Sequence, residues 1–81
     1  MNKIVSVEPL DDYKILLTFS NNEKRIKDMK PYLDKGVFQK LKDKNLFNNV
    51  QLSYGTVTWD GEIDLCADSI YETSTIYNEN K

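Results

Sequence analysis

Residues 13–23 read YKILLTFSNNE, and this stretch decides the fold. Apolar side chains occupy alternate positions in it: Tyr13, Ile15, Leu17 and Phe19. This period of two is typical of a strand that buries one face. The pair Asn21-Asn22 tolerates positive φ, so a two-residue turn is predicted there, with residues 23–28 returning as a third strand. Because that third strand is rich in charge, it is expected to lie at an exposed edge of the sheet or to have a face in solvent.

Towards the N-terminus, residues 3–8 are rich in β-branched side chains and predict a first strand. Pro9 fixes φ and ends this strand before the hairpin begins. On the other side of the hairpin the period changes, because Leu33, Val37 and Leu41 are spaced by four residues. That spacing predicts a short amphipathic helix between residues 30 and 49.

The remaining sequence predicts two more strands and a second helix. Residues 50–54 and 56–59 are strands joined tightly around Gly55, and residues 67–73 form the last helix. The connections between consecutive strands are too short for crossovers, so the strands pair antiparallel. The predicted fold class is therefore α+β, a small single domain with an antiparallel β-sheet and two short helices in the order β-β-β-α-β-β-α.

The chain length of 81 residues leaves room for one domain. We assign residues 1–74 to a single α+β domain and residues 75–81 to a flexible C-terminal tail, because the tail has few apolar side chains to anchor it. The single cysteine excludes an internal disulfide framework, and no apolar run is long enough for a signal peptide or membrane span. These features predict a cytoplasmic protein with no membrane association.

The sequence contains few of the residue types and motifs that are typical of an active site. The chain has no histidine and no glycine-rich phosphate loop, and Cys66 has no evident base, so it is expected to be a half-buried structural residue. Four carboxylates cluster in sequence: Asp60, Glu62, Asp64 and Asp68. They are interpreted as a solvated turn, with weak cation binding as the alternative. We therefore predict no enzyme activity, no cofactor, no metal site and no small-molecule substrate.

Charge and aromatic residues suggest instead a surface for a partner. Residues 1–44 carry a net charge of +3 and residues 45–81 a net charge of −5. The candidate interaction surface combines aromatic and acidic residues of the second half: Tyr54, Trp59, Asp64, Asp68 and Tyr71. In the alternative interpretation, Trp59 and Tyr71 complete the core.

A second possible surface is the lysine-rich face of the first predicted helix. Its residues are Lys35, Lys40, Lys42 and Lys44. Such a face could contact nucleic acid, or it could be only the solvated side of the helix. Because Asp34 and Asp43 dilute the positive charge, nucleic-acid binding by this chain alone is not expected.

The sequence resembles the bacterial family called domain of unknown function 2442 over nearly its whole length. The resemblance is carried by Pro9-Leu10, Leu16 to Phe19, Asn21-Asn22-Glu23, Lys35-Gly36-Val37-Phe38, Trp59, Asp64-Leu65 and Tyr71. Asn22, Asp60 and Ala67 depart from the family pattern, which often has glycine, proline and proline there. These departures affect turn geometry and remove no reactive group.

The resemblance implies a small mixed fold, fused in some relatives to a helix-turn-helix module. It also implies a neighbouring gene for another small protein, in the manner of a toxin and antitoxin pair, and no assigned catalytic residues. The sequence therefore predicts a non-catalytic protein-interaction module, antitoxin-like, that binds a small protein partner or a second copy of itself. The alternatives are a nucleic-acid-associated regulatory accessory domain and, third, a small hydrolase that uses Asp or Glu.

Overall fold

The computed structural model describes residues 3–60 and 63–77. Within these residues the strands are β1 (Ile4–Leu10), β2 (Lys14–Phe19), β3 (Lys24–Asp28), β4 (Gln51–Ser53), β5 (Thr56–Trp59), β6 (Ile63–Leu65) and β7 (Thr75–Ile76). The α-helices are α1 (Lys44–Phe47) and α2 (Ala67–Thr73), and the 3-10 helices are Asp11–Tyr13, Lys30–Tyr32 and Gly36–Lys42. The chain is thus an α+β domain with antiparallel sheets and two α-helices, as predicted.

β2 is an interior strand of the larger of two antiparallel sheets. The larger sheet has the order β1-β2-β3-β7, and the smaller one has the order β4-β5-β6. Ile15, Leu17 and Phe19 of β2 are all fully buried, which confirms the alternation predicted from the sequence. Both sheets contribute to one core, which contains Ile4, Ile15, Leu17, Phe19, Met29, Leu33, Leu41, Phe47, Val57, Trp59, Ile63 and Ile70.

The first predicted helix is largely a 3-10 helix, Gly36–Lys42, instead of an α-helix. Gly36 has a φ of +46°, a left-handed conformation that separates this segment from the preceding 3-10 turn. Side chains three residues apart share a face of a 3-10 helix, so Phe38 and Leu41 both pack inward while Val37 is 51% exposed. The spacing of Leu33, Val37 and Leu41 therefore indicated the wrong helical period.

The α-helix of this region is the single turn α1. The Asp43 side chain accepts a hydrogen bond from the backbone N–H of Asn45 at 3.0 Å and so caps its first turn. The turn places Phe47 in the core, where only 2% of its surface is exposed. A short helix of this kind is held by packing more than by its own hydrogen bonds.

The hairpin and the C-terminal segment differ from prediction in two respects. Four residues, 20–23, lie between β2 and β3 instead of a two-residue turn. Phe19 N–H donates to the Glu23 carbonyl at 2.8 Å, and Asn22 takes a φ of +70°. Thr75 and Ile76, assigned above to a flexible tail, form β7 and pair with β3 at Ile26 and Arg25. β3 is therefore covered at these positions and is not the edge predicted. Residues 78–81 lie outside the described residues.

β1 is one edge of the larger sheet, and its first half is irregular. The register of β1 against β2 shifts between Ile4 and Ser6, so Val5 is an extra residue in the strand. Among the described residues, no helix has the length and apolar character needed to cross a membrane.

Candidate functional site

The turn between β4 and β5 presents a tyrosine to solvent. Ser53 pairs with Thr56, so Tyr54 and Gly55 are the only two residues of the turn. Their φ angles are +53° and +78°, and a two-residue turn with positive φ at both positions is a type I′ turn. Asn-Gly is the preferred pair for such a turn, and a non-glycine residue without a short polar side chain costs about 1–2 kcal/mol in this conformation. Tyr54 is nevertheless the residue used, and its side chain is fully exposed.

A groove of about 670 Å³ lies beside this turn. It is lined by Lys3, Ile4, Val5, Tyr54, Gly55, Thr56, Cys66, Ala67 and Asp68. Three parts of the chain therefore meet here, namely the start of β1, the β4–β5 turn and the start of α2. We call this the tyrosine groove.

The exposed apolar surface of the tyrosine groove comes mainly from two residues. Val5 is 56% exposed and Tyr54 is fully exposed, although both are large apolar side chains that could contribute to a core. Val5 is the extra residue of the bulged strand, and Tyr54 occupies the strained turn. Local backbone irregularity thus holds both side chains away from the core and towards the same groove.

The second half of the chain presents several carboxylates to solvent. Asp60, Asp64, Asp68 and Glu72 are all exposed. None of the four forms an ion pair among the residues the structure describes. Asp68 lines the tyrosine groove directly. The groove therefore combines an aromatic and aliphatic surface with one carboxylate, Asp68, and one lysine, Lys3, in its lining.

The five predicted surface residues are not brought together in one place. Tyr54 and Asp68 both line the tyrosine groove, and Asp64 is exposed on β6. Trp59 is fully buried, stacks on Phe47 and donates its indole N–H to the Phe47 carbonyl at 3.0 Å. The prediction that Trp59 contributes to a contact surface is therefore wrong, because it completes the core.

Tyr71 is half-buried and belongs to a separate network that fixes α2 to the β2–β3 hairpin. Its ring packs edge-on against Phe19, and Arg25 lies 4.0 Å above the ring centroid. Its hydroxyl donates a hydrogen bond to Glu23 at 2.8 Å, and this bond lowers the pKa of Glu23, with smaller contributions from Asn21 and Arg25. Tyr71 therefore positions the helix that supplies one side of the tyrosine groove.

Arg25 completes this network by joining the hairpin to the end of α2. Its guanidinium forms an ion pair with Glu23 at 2.8 Å and donates a hydrogen bond to the Ser74 carbonyl at 3.1 Å. Its Nε is buried without a hydrogen-bond partner. The stacking on Tyr71 keeps the planar guanidinium in this position.

Several groove residues were not predicted from the sequence. Val5 was assigned to an ordinary strand, since a bulge in β1 has no turn residue to mark it. Cys66 was expected to be half-buried, but it is exposed at the N-cap position of α2. For the positive φ of Tyr54, the sequence contained one indication, namely the tight connection predicted around Gly55.

The described residues were also compared with the requirements of a metal site. No group of three or more Cys, Asp or Glu side chains among them is arranged to hold a metal ion. Of the four carboxylates considered for cation binding, Glu62 lies outside the described residues.

A scan against protein-family models matches residues 4–75 to the family described as protein of unknown function DUF2442. The chain belongs to the DUF2442 family. No curated protein and no solved structure matches the chain. The family match runs from the start of β1 to the first residue of β7, so it includes the tyrosine groove except for Lys3.

The residues that carry the DUF2442 resemblance lie mostly in the scaffold. Pro9-Leu10 ends β1, Gly36 starts the long 3-10 helix with positive φ, Trp59 is in the core and Tyr71 fixes α2. Most of them therefore serve the fold of this chain. Tyr54 lies outside this set.

Proposed function

We propose that this chain is a non-catalytic protein-interaction module of the bacterial cytoplasm, the antitoxin-like member of a two-gene pair. Its binding site is the tyrosine groove, and its occupant is a small basic protein encoded beside it. The single observation that carries the proposal is the fully exposed Tyr54, held at a positive φ where asparagine would be preferred.

Tyr54 has the properties of a binding hot spot. Tyrosine provides a large, rigid contact surface with a polar end, and it is enriched among the residues that dominate interface energies. In the free protein it contributes no buried surface to the core. Tyr54 is unfavourable for the turn and adds no buried surface to the core, so we infer that its role is to bind a partner.

The basic character of the partner follows from charge. Lys3 and Asp68 both line the groove, so the negative excess comes from Asp64 on β6 and Glu72 on α2, which are exposed. Neither forms an ion pair among the described residues. Oppositely charged surfaces raise association rates and disfavour wrong partners. The exposed edge of β1 at Val5 and Ser6 is a place where an extended segment of the partner could add to the sheet.

The experiment is affinity purification of the tagged chain from its native host, followed by binding to the purified product of the adjacent gene. We compare wild type with Tyr54→Asn and with the control Tyr77→Asn, a tyrosine that is 40% exposed outside the groove. We expect Tyr54→Asn to weaken binding by about 2 kcal/mol or more, which is about thirtyfold in Kd. Tyr77→Asn should bind as wild type does.

Other outcomes contradict the proposal in different ways. Equal binding by all three proteins would show that the tyrosine groove is not the site. Recovery of a second copy of the chain alone would indicate self-association. Salt-sensitive recovery of DNA or RNA would favour a nucleic-acid-associated accessory domain instead. The lysine-rich face gives that function little support, because Lys42 pairs with Asp34 at 3.0 Å and Lys44 lies over the ring of Tyr13.

A further inference from the structure

A second cleft, of about 610 Å³, lies at the opposite end of α2 from the tyrosine groove. It is lined by Lys14, Ile26, Lys27, Asp28, Pro31, Tyr32, Lys35, Thr73 and Thr75. The lining comes from the ends of β2 and β3, the 3-10 turn at Lys30–Tyr32, and the end of α2 with β7. We call it the lysine cleft.

Lys27 is the most buried charged residue among those described, with 3% of its surface exposed. Its ammonium donates hydrogen bonds to the Tyr32 hydroxyl at 2.9 Å and to the Thr73 hydroxyl at 2.7 Å. It also lies 4.5 Å from the centroid of the Tyr32 ring. All of these partners are neutral, and an ammonium has three hydrogens to donate. Burial of a charge is costly unless an opposite charge accompanies it.

No carboxylate supplies that opposite charge within the described part of the chain. Lys14, Lys27 and Lys35 form no ion pair there. Neighbouring lysines outside the cleft do, since Lys30 contacts Asp12 at 2.6 Å and Lys42 contacts Asp34 at 3.0 Å. The cleft thus contains three lysines that have no ion pair among the described residues.

The one carboxylate of the lining is already engaged. Asp28 accepts a hydrogen bond from the backbone N–H of Lys30 at 2.9 Å, and its other oxygen lies 3.9 Å from Lys30 Nζ. It is therefore directed to the turn that follows β3. The lysine cleft keeps a positive charge that the protein itself does not neutralise.

We propose that the lysine cleft binds a small anion of the phosphate class. Lysine binds phosphate oxygens as a point charge. The buried Lys27 ammonium, with Lys14 and Lys35 also in the lining, gives the cleft the positive charge that such an anion requires. The hydroxyls of Tyr32 and Thr73 hold the Lys27 ammonium in place. Ile26, Pro31 and the Tyr32 ring offer an apolar wall to the organic part of a phosphate ester. This binding is independent of a partner in the tyrosine groove.

The test is titration with pyrophosphate at constant ionic strength, measured by calorimetry and by the rise in melting temperature. We expect Lys27→Met to abolish binding, and Lys14→Gln and Lys35→Gln each to weaken it by about tenfold, the effect of losing one hydrogen bond to a charged group. The control Lys42→Gln removes a lysine outside the cleft and should leave the affinity unchanged. Adenosine monophosphate and inorganic phosphate, compared in the same way, distinguish an ester from the free ion.

Three outcomes would overturn the proposal. One is the absence of pyrophosphate binding at millimolar concentration by the wild-type protein. Another is equal weakening by Lys42→Gln and Lys35→Gln, which would show a nonspecific charge effect. The third is unchanged affinity in both Lys14→Gln and Lys35→Gln. Because Lys14 and Lys35 lie at the more exposed part of the cleft, these two variants keep the test valid even if Lys27→Met fails to fold.

Discussion

The β4–β5 hairpin contains two aromatic residues that differ completely in burial. Trp59, at the C-terminal end of β5, is fully buried against Phe47, whereas Tyr54, in the turn before this strand, is fully exposed. The sequence grouped them as one aromatic surface because they are five residues apart in an acidic half. Within this single hairpin, Trp59 therefore contributes to the core, whereas Tyr54 is available for contact with another molecule. Aromatic content alone therefore does not identify a binding surface. An exposed aromatic residue in an unfavourable backbone conformation is a more specific indication of one.

Replacement of Trp59 by alanine should give the largest effect in this hairpin. The variant loses a buried indole and its hydrogen bond to the Phe47 carbonyl, so we expect the free energy of unfolding to fall by about 3–5 kcal/mol. Urea denaturation measures this loss. Tyr54→Ala, at the exposed end of the same hairpin, is the control. Comparable destabilisation by the two variants would contradict the separation of roles.

The fold was predictable where one physical signal dominated. The alternation in β2 placed Ile15, Leu17 and Phe19 correctly, because a strand with one buried face has a single permitted register. The segment after Gly36 was not predictable in the same way, since α and 3-10 helices differ by less than one residue per turn. The packing of Phe38 and Leu41 against the core favours the 3-10 helix here.

The candidate sites were only partly visible in the sequence. Tyr54 and Asp68 were identified from composition, but the bulge that exposes Val5 and the burial of Trp59 depend on contacts between distant segments. The lysine cleft had no local signal at all. Lys27 was expected on a solvated strand, and its burial results from Tyr32 and Thr73, which come from two other parts of the chain.

Replacement of Tyr54 by asparagine should change the free energy of unfolding less than Trp59→Ala does, and in the opposite direction. Asparagine adopts positive φ more readily, so we expect the free energy of unfolding to rise by about 1 kcal/mol, or about 4–8 °C in melting temperature. Gly55→Ala is the matched control. An added Cβ at Gly55 meets no atom within 4 Å, so only its positive φ opposes the change and a loss of about 1 kcal/mol is expected. A destabilised Tyr54→Asn protein would mean that tyrosine supports the turn.

The smallest expected effect concerns the network that holds α2 beside this hairpin. The hydrogen bond from Tyr71 lowers the pKa of Glu23 from its ordinary value of 4.5. A carboxyl whose pKa is lower in the folded than in the unfolded state stabilises the fold above the unfolded pKa. That stabilisation is lost as pH falls through the folded pKa. Wild-type stability should therefore decrease below about pH 4.5.

Tyr71→Phe tests this because it removes the hydroxyl and keeps the ring between Phe19 and Arg25. The variant should be less stable than wild type at neutral pH, and its stability should fall less steeply in acid, so that the two curves converge. Urea denaturation across the acid range measures both curves. Parallel curves would show that the Tyr71 hydroxyl does not lower the pKa of Glu23. In that case α2, and with it the acidic side of the tyrosine groove, would keep its position in acid independently of the charge on Glu23.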